Sequence, residues 1–308
     1  MSKQAWVFPG QGSQSLGMLG ELVAEFPSIL DTFKQASDVL GYDLWQVVQQ
    51  DEVKLNQTHI TQPALLAASY ALYKVLVAQG RELPAYMAGH SLGEYSALVC
   101  AGVIKFTDAI KLVEARGQFM QEAVPAGTGA MYAIIGLDDD KIIASCEKAQ
   151  QETREIVAAV NFNSPGQVVI AGTTQAAKIA AEYCKEQGAK RALPLAVSVP
   201  SHCALMQPAA DKLAVMLESI EFSEPTIPVI NNVDVAAPVA PDAIKLALVK
   251  QLYSPVRWTE TVLELAKNDV SSLYEIGPGK VLTGLVKRID KNINGDALNS
   301  LASLTAQA

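Results

Sequence analysis

The chain has 308 residues, of which 50% are hydrophobic, and this is enough for one large domain or for a domain that carries a smaller one. Its formal net charge is −8 and its basic residues are scattered, which argues against nucleic acids and anionic membranes as partners. The four cysteines, Cys100, Cys146, Cys184 and Cys203, have no C-x-x-C spacing, and we find neither a signal-peptide pattern nor an apolar run of about 18 residues. We therefore expect a cytoplasmic protein with reduced thiols.

The first elements frame a glycine-rich loop. A short apolar run over 5–8 stops at the loop Pro9-Gly10-Gln11-Gly12-Ser13-Gln14, a pattern that predicts a buried strand entering that loop. Downstream, Thr61 is predicted to cap a helix that has Pro63 in its first turn and Gly80 just past its end.

A second glycine-flanked turn follows the next apolar segment. A strand is predicted over 85–88, then the turn Gly89-His90-Ser91-Leu92-Gly93, then a helix over 94–101. G-x-S-x-G between a strand and a helix is typical of the nucleophile elbow, in which small flanking residues let a strained turn project a hydroxyl. The Leu92 N–H would then donate to a developing oxyanion. An ordinary turn at the end of a strand is the alternative interpretation.

A smaller unit is predicted in the middle of the chain. Its pattern indicates strands over 131–135, 156–160, 167–171 and 192–197, helices over 138–150 and 174–187, and a loop over 161–166. The order β-α-β-β-α-β is that of the ferredoxin-like motif.

After this unit the sequence returns to strand and helix patterns like those before it, with strands predicted over 229–232 and 272–276. The sequence therefore predicts an α/β fold in which a small ferredoxin-like subdomain, residues 128–198, is inserted into a discontinuous large domain, residues 1–127 and 199–308.

A nucleophilic serine needs a base, usually histidine, and the chain has 3 histidines. His90 adjoins Ser91 and is expected to point away from it, while His59 lies in a polar stretch predicted to be a solvated loop. His202 is the best base by elimination, with a structural histidine as the alternative. No triad acid stands out, so we expect a neutral acceptor, such as a backbone carbonyl or an amide, to orient His202.

Two further stretches bear on the chemistry. Arg116 projects from a helical face that is otherwise apolar, and a buried arginine needs an anion. From the sequence alone a protein carboxylate is the favoured partner, with a substrate carboxylate as the alternative. The loop around Gln11 is not a phosphate-binding P-loop, because it lacks the lysine, and it fits an oxyanion-hole loop better.

Seven stretches together resemble, in order, the malonyl-CoA:acyl-carrier-protein transacylases of bacterial fatty-acid synthesis. Each is short, but together they span nearly the whole chain. They read FPGQGSQ over 8–14, TQPA over 61–64, GHSLGE over 89–94, RG over 116–117, NFNSPG over 161–166, VPSH over 199–202 and YEIGPG over 274–279.

The resemblance implies a hydrolase-like parallel-sheet core around the inserted subdomain. It also implies catalytic roles for five residues. Ser91 is the nucleophile and His202 is its base. Gln11 and the Leu92 N–H form the oxyanion hole, and Arg116 binds the malonyl carboxylate.

Other site residues come only from the resemblance. It places Gln62 near the acyl group and gives the backbone carbonyl of Gln251 the role of orienting His202. It also implies that Asn161 and Asn163 line the cleft from the side of the small subdomain.

The implied reaction is ping-pong acyl transfer through a malonyl-serine intermediate, with malonyl-CoA and acyl carrier protein as partners and fatty-acid chain elongation as the purpose. No tightly bound cofactor or metal is implied, since the coenzyme A thioester is the substrate. The residue before His202 is Ser201, whereas related polyketide acyltransferases that take malonyl carry an aromatic residue there. The stand-alone enzymes resemble this chain better, so malonyl is expected over methylmalonyl.

An acidic carrier protein would dock on local cations. The candidates are Lys190 with Arg191, and Lys280 with Lys287 and Arg288, although such pairs are more often solvated surface.

Two other functions share some of these residues. A serine hydrolase such as a thioesterase would use Ser91 and His202 but would need a carboxylate partner and no arginine. A binding protein that kept the fold without turnover is disfavoured, because nucleophile, base and oxyanion loop are all present.

Overall fold

The computed structural model describes residues 3–196 and 199–306. The strands, in chain order, are β1 (Lys3–Phe8), β2 (Tyr86–Gly89), β3 (Gly129–Ile135), β4 (Val157–Ser164), β5 (Gln167–Thr173), β6 (Arg191–Pro194), β7 (Val229–Ile230), β8 (Val270–Glu275) and β9 (Asn294–Ala297).

The α-helices, in chain order, are α1 (Ser28–Leu40), α2 (Leu44–Gln50), α3 (Glu52–Leu55), α4 (Thr58–Ala78), α5 (Leu92–Cys100), α6 (Phe106–Glu122), α7 (Asp139–Thr153), α8 (Thr174–Glu186), α9 (Gln207–Glu218), α10 (Pro241–Gln251), α11 (Trp258–Lys267), α12 (Val281–Ile289) and α13 (Leu301–Thr305). Short 3₁₀ turns lie at Gly20–Leu22 and Ala204–Met206.

The larger sheet is parallel throughout, with the strand order β7-β2-β1-β8-β9. Its central strand β1 is fully buried from Ala5 to Phe8. Trp6 and Phe8 enter one hydrophobic cluster, and Ala5 and Val7 enter another. Because successive side chains of a strand point to opposite faces, these two clusters lie on opposite faces of the sheet. Helices cover both faces.

The second sheet is antiparallel, with the order β4-β5-β3-β6. Residues 129–194 run β3, α7, β4, β5, α8, β6, the same order of elements that the sequence predicts. Helices α7 and α8 pack on this sheet around their own apolar cluster. The fold is therefore mixed α/β, with one parallel and one antiparallel sheet.

The prediction for the fourth strand and the loop after it was wrong. Asn161 to Ser164, predicted as part of a loop, continue β4 and pair with β5, although the register shifts twice. The strand continues because its other edge is also paired: the Phe162 N–H donates to the Val256 carbonyl, and the Val256 N–H donates to the Val160 carbonyl. This pairing joins the antiparallel sheet to the chain just before α11.

The start of α4 also differs from the prediction. The helix begins at Thr58, so Thr61 does not cap it and Pro63 lies inside it. The Thr61 hydroxyl instead donates back to the carbonyls of Leu55 and Gln57, which secures the first turn. The strand predicted over 192–197 ends at Pro194, and Val197 and Ser198 lie outside the described residues.

Among the described residues, α4 is the one helix long and apolar enough to cross a membrane. Its most apolar stretch is 78% buried inside the fold, as in a core helix. All four cysteines are buried and free of disulfides.

The approach of α5 to β1 gives a first prediction. A methyl group added at Gly93 would lie 1.9 Å from the Phe8 carbonyl oxygen, so the backbone must move. We expect Gly93→Ala to lower the free energy of unfolding in urea by about 1–3 kcal/mol. The matched control is Gly284→Ala in α12, where nothing lies within 4 Å of the added methyl. That variant should be unchanged or up to about 1 kcal/mol more stable. Equal stabilities of the two variants would contradict this account of the packing.

Candidate active site

Ser91 lies on a strained turn between β2 and α5. Its φ of 51° and ψ of −107° are unfavourable for a residue with a side chain, at a cost of about 1–3 kcal/mol. The turn also needs the glycines on each side, because a methyl group on Gly89 would lie 1.9 Å from the Gly93 carbonyl carbon. This is the shape of a nucleophile elbow.

Side chains from distant elements hold the backbone of this turn. The Asn232 amide accepts from the Ser91 N–H at 2.7 Å and donates to the Gly89 carbonyl at 2.7 Å. The Gln251 side chain donates to the Ser91 carbonyl at 3.1 Å. The strain in the turn is therefore opposed by fixed hydrogen bonds to its own polar groups.

His202 lies beside the hydroxyl. Its Nε2 is 2.8 Å from Ser91 Oγ, and its Nδ1 is 2.7 Å from the Gln251 backbone carbonyl oxygen. Because a carbonyl can only accept, Nδ1 carries the proton and Nε2 is left to accept from the serine hydroxyl. The backbone of His202 is held at the end of α10, since its N–H donates at 3.0 Å to the carbonyl of Leu252, the residue that follows this helix.

The environment keeps this histidine neutral. Burial and then the nearby charge of Arg116 lower the pKa of His202 from 6.5 to about 3, while the bond to the Gln251 carbonyl opposes them. A neutral imidazole is the form that can take a proton from a hydroxyl.

Arg116 reaches the same hydroxyl from α6. It is 1% exposed, and its guanidinium donates to Gln62 Oε1 at 2.7 Å, to Gln251 Oε1 at 2.9 Å and to Ser91 Oγ at 3.3 Å. Its Nε has no hydrogen-bond partner. Within the described residues no carboxylate lies within ion-pair distance of Arg116, so the protein carboxylate favoured from the sequence was wrong.

These groups line a cleft of about 110 Å³. Its walls combine polar groups with the apolar side chains of Met120, Met131, Leu195 and Val199. Gln11 and Leu92 also line it, and the Gln11 amide is 3.5 Å from the Thr58 hydroxyl. Their part in an oxyanion hole stays a prediction.

The two asparagines of β4 differ in position. Asn161 lines the cleft, whereas Asn163 contacts His90, with 2.8 Å between its Oδ1 and the histidine Nε2. Residues two apart on a regular strand share a face, but the register of β4 shifts between Phe162 and Ser164. His90, the partner of Asn163, itself lines the cleft, and the part of Asn163 in the cleft stays a prediction.

The other two histidines are hydrogen-bonded to side chains other than that of Ser91. His90 is held by Asn163 and packs against the ring of Trp258. His59 lies in α4 and bonds to the Gln121 side chain at 2.8 Å, so the predicted solvated loop was wrong. Within residues 3–196 and 199–306, no three His, Cys, Asp or Glu side chains could share a metal ion.

Sequence reasoning missed Asn232 and the side chain of Gln251. Asn232 follows the end of a strand of the parallel sheet, where polar residues often serve a site, and this is the one signal that pointed to it. Nothing local distinguishes the Gln251 side chain in α10.

A family model described as an acyl transferase domain matches residues 5–303. The malonyl CoA-acyl carrier protein transacylase of Haemophilus influenzae is 63% identical, covering 99% of this chain and 98% of that protein. The transacylase of the same name from Escherichia coli is 61% identical, covering 99% of each. The chain belongs to this family of acyltransferases.

Solved structures of the family have the same fold as this acyltransferase. An acyl carrier protein S-malonyltransferase from Vibrio cholerae superposes with a TM-score of 0.96 at 63% identity, covering 98% of this chain and 99% of that one. A malonyl-transacylase in complex with its type II PKS acyl-carrier protein gives a TM-score of 0.97 at 62% identity, covering 98% of each chain.

The neutral state of His202 in this acyltransferase can be measured. An unperturbed histidine is mostly protonated at pH 5, but the lowered pKa of His202 means that it gains its proton only as the pH falls towards 3. We expect its ring Cε1 proton resonance to keep the neutral shift from pH 8 down to pH 5. In Arg116→Met the midpoint should rise, because a neighbouring positive charge is removed. A wild-type midpoint near 6.5 would contradict this assignment.

Proposed function

We propose that this chain transfers a malonyl group from malonyl-CoA to the phosphopantetheine thiol of an acyl carrier protein, through a malonyl ester on Ser91, and so supplies fatty-acid chain elongation. The observation that carries the proposal is Arg116, a buried cation bonded to neutral oxygens and 3.3 Å from the Ser91 hydroxyl. A free carboxylate at one end of the acyl group satisfies it, because carboxylates bind guanidinium groups bidentately. The names of the relatives agree with this substrate.

In the first half-reaction Ser91 Oγ attacks the thioester carbonyl carbon and gives its proton to His202 Nε2. The Leu92 N–H and the Gln11 amide stabilise the oxyanion. As the tetrahedral intermediate collapses, the C–S bond breaks and coenzyme A leaves as the thiol, taking the proton from His202. The Gln251 carbonyl holds the imidazole in the required tautomer throughout.

The second half-reaction is the reverse with a different thiol. His202 takes the proton of the phosphopantetheine thiol, the sulfur attacks the malonyl-serine ester, and the C–O bond to Ser91 breaks. The proton returns to Ser91 Oγ. Each half-reaction leaves His202 neutral, and no group outside the two substrates is consumed, so we expect no cofactor beyond the coenzyme A thioester.

Specificity follows from the charge of Arg116. Malonyl places a carboxylate against the guanidinium, whereas acetyl leaves it without an anion in a closed site. Gln62 orients the guanidinium from α4, and Asn161 and Ser201 bound the cleft beside it. Ser201 stands where related polyketide acyltransferases that take malonyl carry an aromatic residue. The preference of this chain for malonyl over methylmalonyl is therefore part of what we propose.

We propose a hydrolase-like core formed by residues 1–127 and 199–308, with residues 128–198 inserted as a ferredoxin-like subdomain. The order of strands in the two sheets supports this division; residues 1, 2, 197, 198, 307 and 308 lie outside the described residues. Buried free cysteines support a reducing, cytoplasmic location.

An acidic carrier protein is expected to dock beside the cleft. The candidate cations are Lys190 with Arg191 at the start of β6, and Lys280 with Lys287 and Arg288 around α12. Arg288 bonds to Gln167 at 2.9 Å. Gln167 and Arg191 both pair with Ile135 of β3, so Arg288 and Arg191 lie at the same end of the antiparallel sheet.

Loading in the absence of carrier protein tests the function. We expect malonyl-CoA to give an adduct on Ser91, detected by intact mass and peptide mapping, that passes to added carrier protein. Ser91→Ala should give no adduct, and His202→Ala should slow loading by about 10²-fold to 10⁴-fold. Rapid release of malonate without a transferable adduct would indicate a hydrolase. Absence of any adduct would indicate a binding protein, and either result overturns the proposal.

A further inference from the structure

Glu94 is a buried carboxylate three residues after Ser91. It lies in the first turn of α5 and is only 2% exposed. A carboxylate is rarely buried without partners, because its desolvation is costly. The reaction assigned to the site gives this side chain no step, so its burial calls for another explanation.

One oxygen of Glu94 joins two of the groups that shape the site. Oε2 accepts from the Asn232 N–H at 2.9 Å and from Gln251 Nε2 at 2.8 Å. The Asn232 side chain holds the Ser91 turn by its N–H and by the Gly89 carbonyl, and the Gln251 side chain holds the Ser91 carbonyl. Three backbone atoms of the strained turn are thus bound by two residues that share one acceptor.

The same contact fixes which way the Gln251 amide points. Its NH₂ end donates to Glu94 and to the Ser91 carbonyl, and its oxygen accepts from Arg116 at 2.9 Å. The reverse orientation would set the amide oxygen against the carboxylate and the NH₂ against the guanidinium. Because Glu94 is an acceptor on one side of the Gln251 amide and Arg116 is a donor on the other, only one orientation of the amide satisfies both.

We propose that Glu94 is a positioning residue for the acyl-transfer reaction: its Oε2 fixes Asn232 and Gln251, and through them the Ser91 turn and the Arg116 guanidinium. The proposal rests on the function proposed above, since it concerns how that site is held in place. Glu94 itself touches neither the Ser91 hydroxyl nor the acyl group.

The role belongs to the oxygen atom rather than to its charge. Burial raises the pKa of Glu94 to about 7, while the hydrogen bonds from Asn232 and Gln251 and the charge of Arg116 oppose that rise. With a proton on Oε1, Oε2 still accepts from both donors. A glutamine at this position keeps an oxygen there and mimics that state.

The test compares Glu94→Gln with Glu94→Met, which fills similar space without an acceptor. The readouts are the rates of Ser91 acylation by malonyl-CoA and by acetyl-CoA, followed by intact mass. Glu94→Met should slow malonyl loading by about 10-fold to 100-fold, the cost of leaving a buried donor unpaired. It should also lower the malonyl-to-acetyl ratio at least about fivefold. Glu94→Gln should retain both within about threefold, in line with the oxygen it keeps.

A double variant shows whether Glu94 acts through Gln251. Gln251→Met should lower the malonyl-to-acetyl ratio on its own, and adding Glu94→Met should lower it no further, because residues that act as one unit are not additive. Losses that multiply would overturn the proposal, and so would a wild-type ratio in Glu94→Met. If Glu94→Met does not fold, Glu94→Asp, which withdraws the carboxylate by one methylene, replaces it with the same direction expected.

The matched control for Glu94→Met is Glu275→Met. Glu275 is another fully buried carboxylate of the parallel sheet, where it accepts from the N–H and hydroxyl of Thr283. This variant should keep the wild-type malonyl-to-acetyl ratio even where it lowers the stability of the protein. A fall in that ratio equal to the fall in Glu94→Met would overturn the proposal. A wild-type protein that forms no malonyl adduct would refute the proposed function instead, so the two failures are distinguishable.

Discussion

The site depends on one buried cation, Arg116, for which no carboxylate of the described residues lies within ion-pair distance. The desolvation of Arg116 is offset by hydrogen bonds to the Gln62 and Gln251 side chains and by the ring of Tyr95, 5.3 Å from the guanidinium carbon. Neutral oxygens stabilise a guanidinium less than a carboxylate does. We propose that the fold thereby holds a cation ready for an anion that a substrate supplies, within 3.3 Å of the Ser91 hydroxyl. The same charge helps to lower the pKa of His202, which links the proposed acyl-binding group to the protonation state of the imidazole.

Holding this arrangement takes contributions from elements far apart in the sequence. The parallel sheet brings β2 beside β1, and the bare backbone of Gly93 lets α5 approach the end of β1 closely enough to form the Ser91 turn. The end of α10 then supplies Gln251, whose backbone carbonyl holds the His202 imidazole while its side chain binds the turn and the guanidinium. Because Gln251 contacts the imidazole, the turn and the guanidinium together, none of the three can move independently. Such fixed geometry is what preorganised catalysis requires.

The local patterns of the sequence predicted the local parts of this structure and not their long-range partners. The contact of His202 with the Gln251 carbonyl was expected only from the family resemblance. The G-x-S-x-G turn could be located because its chemistry is contained in five adjacent residues, and His202 followed because few histidines were available. The partners of Arg116 could not be inferred, because whether an amide or a carboxylate faces a buried arginine depends on helices 54 and 135 residues away. Asn161 was predicted in a loop for a similar reason, since its strand is completed by Val256 from another part of the chain. The local propensities of neighbouring residues do not predict such long-range pairings.

The central claim, that Arg116 selects a carboxylate-bearing acyl group for Ser91, is tested most directly by the loading rates of Arg116→Met with malonyl-CoA and acetyl-CoA. Malonyl loading should fall by about 100-fold or more, as expected when a buried ionic contact is lost, while acetyl loading stays within about tenfold of the wild type because acetyl makes no such contact. Parallel losses for the two substrates would show that Arg116 supports the structure without selecting the acyl group.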